Sequence, residues 1–317
     1  MTRSRDVPTL IARAREGDAR SVARLITLVE NGDEALPQVA AALAPYAGRA
    51  QVIGLTGSPG VGKSTTTNEL VRALRQAGHR VGVLAVDPSS PFTGGAILGD
   101  RIRMQDHTTD PGVYIRSMSS RGHLGGLAAT TPQAVRVLEG AGCDVVLVET
   151  VGVGQAEVEI ASLADTTLVL LAPGMGDAIQ AVKAGILEIA DVFVVNKADR
   201  PGADATYHDI QGMLSLGERG PGEWRPPVVR AVAVKNEGID DVLKAIGEHR
   251  AWLISSDRLR LRREARAAAE VEAIALGTLR ARLGSLREGT ALSDLAARVA
   301  EGRTDPYAAA EELIKGL

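Results

Sequence analysis

Gly57-Ser58-Pro59-Gly60-Val61-Gly62-Lys63-Ser64 fits the pattern G-x-x-x-x-G-K-[ST] in full. The apolar run Val52-Ile53-Gly54-Leu55 precedes it, a buried-strand signal. Thr65-Thr66-Thr67-Asn68-Glu69-Leu70-Val71-Arg72-Ala73-Leu74 follows, with apolar residues at helical spacing. Strand, glycine loop and helix in that order predict a phosphate-binding loop. Glycines let backbone N–H groups converge on phosphate oxygens without Cβ clashes. The helix N-terminus adds the positive end of its dipole. On this pattern Lys63 reaches the β- and γ-phosphates and the Ser64 hydroxyl ligates Mg²⁺, with Thr65 beside it.

A second motif names the base. Asp191-Val192-Phe193-Val194-Val195 reads as a buried strand, and Asn196-Lys197-Ala198-Asp199 stands at its end. This N-K-x-D pattern suits guanine, whose N1–H and N2 amine lie on one edge that a single carboxylate accepts from. Adenine lacks both donors, and in a closed pocket Asp199 would be left unpaired. Asn196 is expected to tie its loop to the phosphate loop or to the base, and the Lys197 stem to cover one face of the ring.

Carboxylates at other strand ends complete the candidate site. Val81 to Val86 ends at Asp87, followed by Pro88-Ser89-Ser90-Pro91, and Val145 to Val148 ends at Glu149-Thr150-Val151-Gly152. Strand C-termini open onto the ligand crevice of an α/β sheet. Glu149 is expected to hold a water of the Mg²⁺ shell, and the Gly152 N–H to approach the γ-phosphate. The glycine-rich stretch Phe92 to Gly99 leads to Asp100, a third acid within reach of metal or water. Asp87, Asp100 and Glu149 are thus candidates for catalysis and, with Ser64, for metal ligation, the ligand set among the acids being open.

Composition bounds the alternatives. The chain has 317 residues and a net charge of −3 with no basic stripe, so nucleic acid is not the expected partner. No apolar run reaches spanning length, so no membrane is expected, and the N-terminus lacks a signal-peptide apolar region. The single cysteine, Cys143, fits a reducing, cytoplasmic compartment and a buried packing role. His79, His208 and His249 fall on predicted helix ends or surfaces, where solvation is the expectation, and Trp224 and Trp252 read as packing residues.

Three regions separate along the chain. Residues 1–48 read as helices, 49–254 as an α/β domain with a mostly parallel sheet, and 255–317 as a charged helical extension. Strands are expected at 51–56, 80–86, 113–116, 144–149, 166–171, 191–196 and 227–233. In the extension, Leu259, Ala267, Val271, Ile274 and Leu279 form a periodic apolar set suited to a two-fold interface. Between Gly174 and Gly185, Asp177, Gln180 and Lys183 share one helical face.

Taken together, these motifs resemble the MeaB/ArgK family. The resemblance rests on the phosphate loop, Asp87-Pro-Ser-Ser-Pro, Gly99-Asp100-Arg101-Ile102-Arg103-Met104, Glu149-Thr150-Val151-Gly152-Val153-Gly154-Gln155, Gly176 to Ile186 and Asn196-Lys197-Ala198-Asp199. These are P-loop GTPases of the SIMIBI class, similar to the methylmalonic aciduria type A protein. The resemblance implies a homodimeric, GTP-dependent chaperone of methylmalonyl-CoA mutase, an adenosylcobalamin enzyme. Such a protein gates cofactor loading and protects the mutase from inactivation, and a related cobalamin mutase would serve equally as partner.

The resemblance also implies roles: Asp87 orients the attacking water, Asp100 and Glu149 are metal-associated, and Asp177, Gln180 and Lys183 lie in a segment coupling nucleotide state to the mutase. The chain departs from the family in the last guanine-contacting loop, where Val232-Ala233-Val234-Lys235 replaces the usual Ser-Ala. The Ala233 backbone remains available to guanine O6, but the serine hydroxyl is absent. A small-molecule kinase or a transport-linked ATPase is the competing function.

The base-reading assignment predicts the effect of Asp199→Asn. An amide donates to the O2 of xanthine, whereas a carboxylate is repelled there. Competition binding with GTP, ATP and XTP should show preference moving from GTP toward XTP; unchanged selectivity would remove Asp199 from base reading.

Overall fold

The computed structural model describes residues 6–87, 107, 109–119, 130–150, 156–174, 186–216, 220, 222–288 and 290–315. Strands form where the apolar runs lie: β1 (Gln51–Thr56), β2 (Val81–Asp87), β3 (Val113–Ser119), β4 (Val145–Thr150), β5 (Thr166–Leu171), β6 (Val192–Val195) and β7 (Val228–Arg230). They make one seven-stranded sheet of order β3-β2-β4-β1-β5-β6-β7. Every ladder is parallel, so the expected α/β class is observed. Strands covered on both faces need near-continuous apolar sequence, and β1, β4, β5 and β6, buried along their length, are mostly apolar.

The described helices are α1 (Val7–Arg15), α2 (Ala19–Glu30), α3 (Leu36–Leu43), α4 (Lys63–Gln76), α5 (Thr131–Gly140), α6 (Ala156–Leu163), α7 (Ile186–Ile189), α8 (Ala203–Leu216), α9 (Ile239–Ser255), α10 (Arg258–Glu288), α11 (Thr290–Ala300) and α12 (Pro306–Lys315). Side chains alternate across the strands and sort into two main cores. Val52, Val146 and Val148 face one core with Leu25, Ile26, Leu138 and Ile160 from the helices. Ile53, Val145 and Leu147 face the other, with Leu70 of α4 and Val242 and Ile246 of α9. A smaller cluster holds Val169, Phe193 and Val195 against Ile210 of α8.

The chain divides into two compact units, Met1–Arg263 and Glu264–Leu317. In the first unit, Asp6 and Asp18 cap α1 and α2, accepting from the N–H groups of Thr9 and Arg20. Those helices bury their apolar sides in the same core as α5, so they belong to the body that carries the sheet. The second unit holds the rest of α10 with α11 and α12, where Arg298 pairs with Glu312 at 2.9 Å.

The division falls inside α10 because its first residues are tied to the sheet. Asp165 and Asp191 stand just before β5 and β6. Asp165 Oδ2 accepts from the Val52 N–H at 3.1 Å and from Arg263 Nη2 at 2.8 Å. Asp191 Oδ2 accepts from the Thr167 N–H and from Arg262 Nη1, both at 2.9 Å, and Oδ1 accepts from Arg262 Nη2 at 2.8 Å. Both carboxylates thus hold strand backbone and helix side chain at once.

His249 corrects a sequence expectation. Assigned to a solvated surface, it is fully buried, with Nδ1 3.0 Å from the Thr166 hydroxyl and Nε2 3.2 Å from Asp191 Oδ1. The Trp224 ring lies 4.8 Å from the His249 ring, and Trp224 Nε1–H donates to the Asp191 carbonyl. Helical periodicity alone assigns a histidine to water; here Thr166 and the Asp191 carboxylate at the start of β6 lie against its ring beneath α9.

Burial raises the Asp191 carboxyl, but hydrogen bonds and charge from His249 and Arg262 outweigh it and leave the group below the usual carboxylate range. A depressed folded-state value stabilises the fold above the unfolded value of about 3.9. That contribution is lost as pH falls through the lowered folded value. Asp191→Ala should cost about 3 kcal/mol in denaturant unfolding at neutral pH, the scale of breaking a buried ion pair. Asp191→Asn should flatten the acid limb of stability against pH, and an unchanged acid limb would argue against this anchor.

Candidate nucleotide site

The loop between β1 and α4 is held open by its own backbone. Gly57, Gly60 and Gly62 have φ of 136°, 82° and 100°, conformations that side chains resist. A Cβ at Gly57 would stand 2.2 Å from the Leu170 carbonyl oxygen, and one at Gly62 would stand 2.3 Å from Asn196 Nδ2. These two positions therefore require glycine both for their φ and for the close approach of β5 and of Asn196.

Donors draw the loop carbonyls outward. Lys63 Nζ donates to the carbonyls of Gly57 at 2.7 Å and Ser58 at 3.2 Å. Lys197 Nζ donates to Gly60 O at 2.6 Å, and Asn196 Nδ2 to Val61 O at 2.8 Å. Four successive-to-near carbonyls are thus engaged by side chains, which leaves the amide faces of the loop and the N-terminus of α4 to attract an anion. Lys63 is only 7% exposed, so its charge acts in a poorly hydrated position.

Beside the loop sits a buried acid. Glu149, at the end of β4, is 4% exposed, and its Oε1 accepts from the Ser64 hydroxyl at 2.6 Å. Its Oε2 accepts from the Thr67 hydroxyl at 3.0 Å. Parallel pairing of β1 with β4 sets Leu55 opposite Glu149, which brings the acid to the start of α4. The contact between Ser64 and Glu149 is direct. Thr67 escaped the sequence reading, although it stands one helical turn after Lys63 and on the same side.

The second motif follows β6. Asn196 is 3% exposed, and besides its bond to Val61 its Oδ1 accepts from the Ala233 N–H at 3.1 Å. The Ala233 N–H that the sequence offered to guanine O6 is engaged by Asn196 in this structure. Ala198 N–H donates to Ala231 O at 3.0 Å. Asp199 is exposed and bonded to Lys235 Nζ at 2.9 Å; that ammonium holds its carboxyl below the usual range. Asp199, Ala198, Arg230, Ala231, Val232, Glu237 and Gly238 line a concavity of about 230 Å³. A larger one, of about 490 Å³, lies between α8 and the approach to β7 and contains none of the motif residues.

Of the predicted site residues, Gly57 to Thr65, Glu149, Asn196, Lys197, Asp199 and Val232 to Val234 lie at the C-terminal edge of the sheet. Val234 points outward, 77% exposed. Asp87 closes β2 at that same edge, and its side chain lies outside the described set. Asp100, Gly152, Asp177, Gln180 and Lys183 lie outside the described residues. Among the described residues, no three His, Cys, Asp or Glu side chains cluster as a ready-made metal cage.

Comparison with known proteins agrees with this geometry. Residues 22–287 match the family described as Methylmalonyl Co-A mutase-associated GTPase MeaB. A candidate GTPase of Pyrococcus abyssi is 48% identical over 314 residues, 98% of this chain and 97% of the relative. The mitochondrial methylmalonic aciduria type A homolog of Mus musculus is 40% identical over 215 residues, 67% of this chain and 52% of that protein. A crystal structure of an LAO/AO transport system kinase superposes with a TM-score of 0.73 at 28% identity, covering 99% of this chain and 98% of that one.

Two substitutions separate binding from turnover. Lys63→Ala should lower GTP hydrolysis about 100-fold or more, the scale of losing a preorganised charge-stabilising donor. Glu149→Gln should slow turnover about 10-fold or more while changing GTP affinity less. Single-turnover hydrolysis and equilibrium binding read the two apart, and parental turnover in both variants would exclude this site from the chemistry.

Proposed function

This chain belongs to the MeaB family of methylmalonyl-CoA mutase-associated GTPases, and on that premise we propose that it is a nucleotide-operated chaperone of an adenosylcobalamin-dependent mutase, methylmalonyl-CoA mutase itself. It is a P-loop GTPase, whose reaction converts GTP and water to GDP and phosphate. In our reading the output is a changed contact with the mutase that gates cofactor loading and guards the enzyme against inactivation. The observation that carries the nucleotide half is Asn196, which ties its own loop, the one that carries Asp199, to the phosphate loop at Val61 and to Ala233. The mutase half rests on the family and on the mouse relative.

The residues divide the work. The amides of residues 57–65 receive the phosphates, and Lys63 exchanges two neutral carbonyls for charged oxygens when they arrive. Asp199 accepts from the guanine edge, the Lys197 stem flanks the ring, and the backbone of Val232 to Val234 closes the base pocket. The hard oxygen donors of Ser64 and Glu149, buried and in contact, fit Mg²⁺, with Asp87 and Asp100 as further ligands or water-orienting groups. Bound there, Mg²⁺ would neutralise charge developing on the β–γ bridge. Gly152 meets the γ-phosphate, and Asp177, Gln180 and Lys183 relay its presence to the mutase.

Two copies work together in this reading, in the cytoplasm. Val271, Ile274, Leu276 and Leu279 of α10 are exposed apolar residues of the kind a homodimer interface covers. Among the described residues, no helix is long and apolar enough to cross a membrane.

The structural neighbour, described as an LAO/AO transport system kinase, favours a second reading as a small-molecule kinase or transport-linked ATPase. Hydrolysis of GTP and ATP with and without methylmalonyl-CoA mutase decides between them. A GTP-selective rate that rises severalfold with the mutase is expected. ATP preference, or phosphate transferred to a small acceptor, would establish the kinase.

A further inference from the structure

We propose that Lys235 is a specificity-determining positioning residue: it fixes the Asp199 carboxylate so that both oxygens are presented to the guanine edge. The inference rests on the reading of Asp199 as the base-reading residue and adds to it the side chain that aligns it.

Val232 carries no side-chain donor at the position where the resembled family usually has serine. A donor arrives from further along the same turn. Ala233–Lys235 forms one turn of 3-10 helix, ended by Asn236 in the left-handed region at φ 57°. Val232 and Glu237 close it with an antiparallel bridge. Lys235 N–H donates to Val232 O at 2.9 Å, which turns the side chain back over the base-reading loop. Lys235 Nζ then bonds Asp199 Oδ2 at 2.9 Å.

That bond is the third tie between the same two loops. Ala198 N–H donates to Ala231 O, and Ala233 N–H to Asn196 Oδ1. The first two fix backbone against backbone and amide; the third alone acts on the carboxylate. Arg230, which lines the concavity, is drawn away: it pairs with Asp204 at 2.9 Å and lies over the Tyr207 ring at 4.2 Å. Arg200 is adjacent in sequence and acts on Asp199 through charge, while Glu237 acts on Lys235.

Sharing is chemically possible because each carboxylate oxygen accepts two hydrogen bonds. Lys235 takes one site on Oδ2 and the Asp199 N–H bonds the same carboxylate, which still leaves acceptor sites for the guanine edge. A free carboxylate rotates about its terminal torsion, which is broad and nearly two-fold. Guanine needs both oxygens in its plane, one for N1–H and one for the N2 amine. Hypoxanthine, with N1–H alone, needs less alignment, and adenine needs none.

Equilibrium binding of GDP, IDP and ADP to the full chain tests this, with Lys235→Met, Lys235→Gln and Lys235→Arg. Lys235 is half-exposed, and thermal melting verifies that the variants fold. GDP should weaken roughly three- to fivefold in the Met and Gln variants, the scale of an exposed ion pair. IDP should weaken less, narrowing the GDP-to-IDP preference; ADP should not change, and Lys235→Arg should restore the parental ratio. Equal weakening of GDP and ADP would mean long-range charge on the phosphates and would overturn the proposal. Unchanged or tighter GDP binding would overturn it too, the latter making Lys235 a competitor. A parent protein with no preference for GDP over ADP would instead refute the guanine reading beneath it.

Discussion

The side-chain amide of Asn196 is the constraint on which the candidate site depends. It donates to Val61 O and accepts from Ala233 N–H, from a position 3% exposed. Its own N–H is bonded to Leu171 O, so the residue is anchored by β5 before its side chain reaches out. An amide offers a donor and an acceptor on two separate atoms of one short stem; a carboxylate would repel the Val61 carbonyl, and an apolar residue would leave two buried groups unpaired. Three stretches distant in sequence thus share one hydrogen-bonded knot. The closeness it demands is also why Gly62 has no room for a Cβ.

A second set of constraints lies at the other end of the same strands. Asp165 and Asp191 bind Arg263 and Arg262 at the beginnings of β5 and β6. Arg263 also donates to Ala50 O, just before β1. At their far ends, β1 and β6 lead directly into the phosphate loop and Asn196. The sheet therefore holds the first turns of α10 at one edge and the nucleotide motifs at the other. Parallel strands paired along their length are stiff enough to keep these two edges in register, a reason for placing binding residues on strand ends rather than on long loops.

Much of this was legible in the residues. The phosphate loop and the Asn196-Lys197-Ala198-Asp199 motif were visible because their chemistry is local: glycines at fixed offsets, a lysine, a hydroxyl, and apolar runs on either side. The inner strands were visible because burial on both faces forces largely apolar sequence. His249 was misread because its partners, Asp191 and Thr166, are far away in sequence. Thr67 passed unnoticed because nothing in the helix says that Glu149 will lie over it. The departure at Val232 is visible in the sequence, whereas the contact of Lys235 with Asp199 is not.

The sequence by itself determined the fold class, the positions of the seven strands, the phosphate loop, the Asn196-Lys197-Ala198-Asp199 motif and the family. Each is written in short-range pattern, since backbone conformation and strand burial are decided within a few residues. Tertiary structure alone decided which acid meets Ser64, what Asn196 ties together, what holds Asp199, and that the first unit ends at Arg263. Those outcomes depend on strand order and register. Pairing β1 with β4 and β5 and β6 with β7 sets side chains from remote segments within hydrogen-bond distance, and no periodicity along the chain encodes which segments will be neighbours.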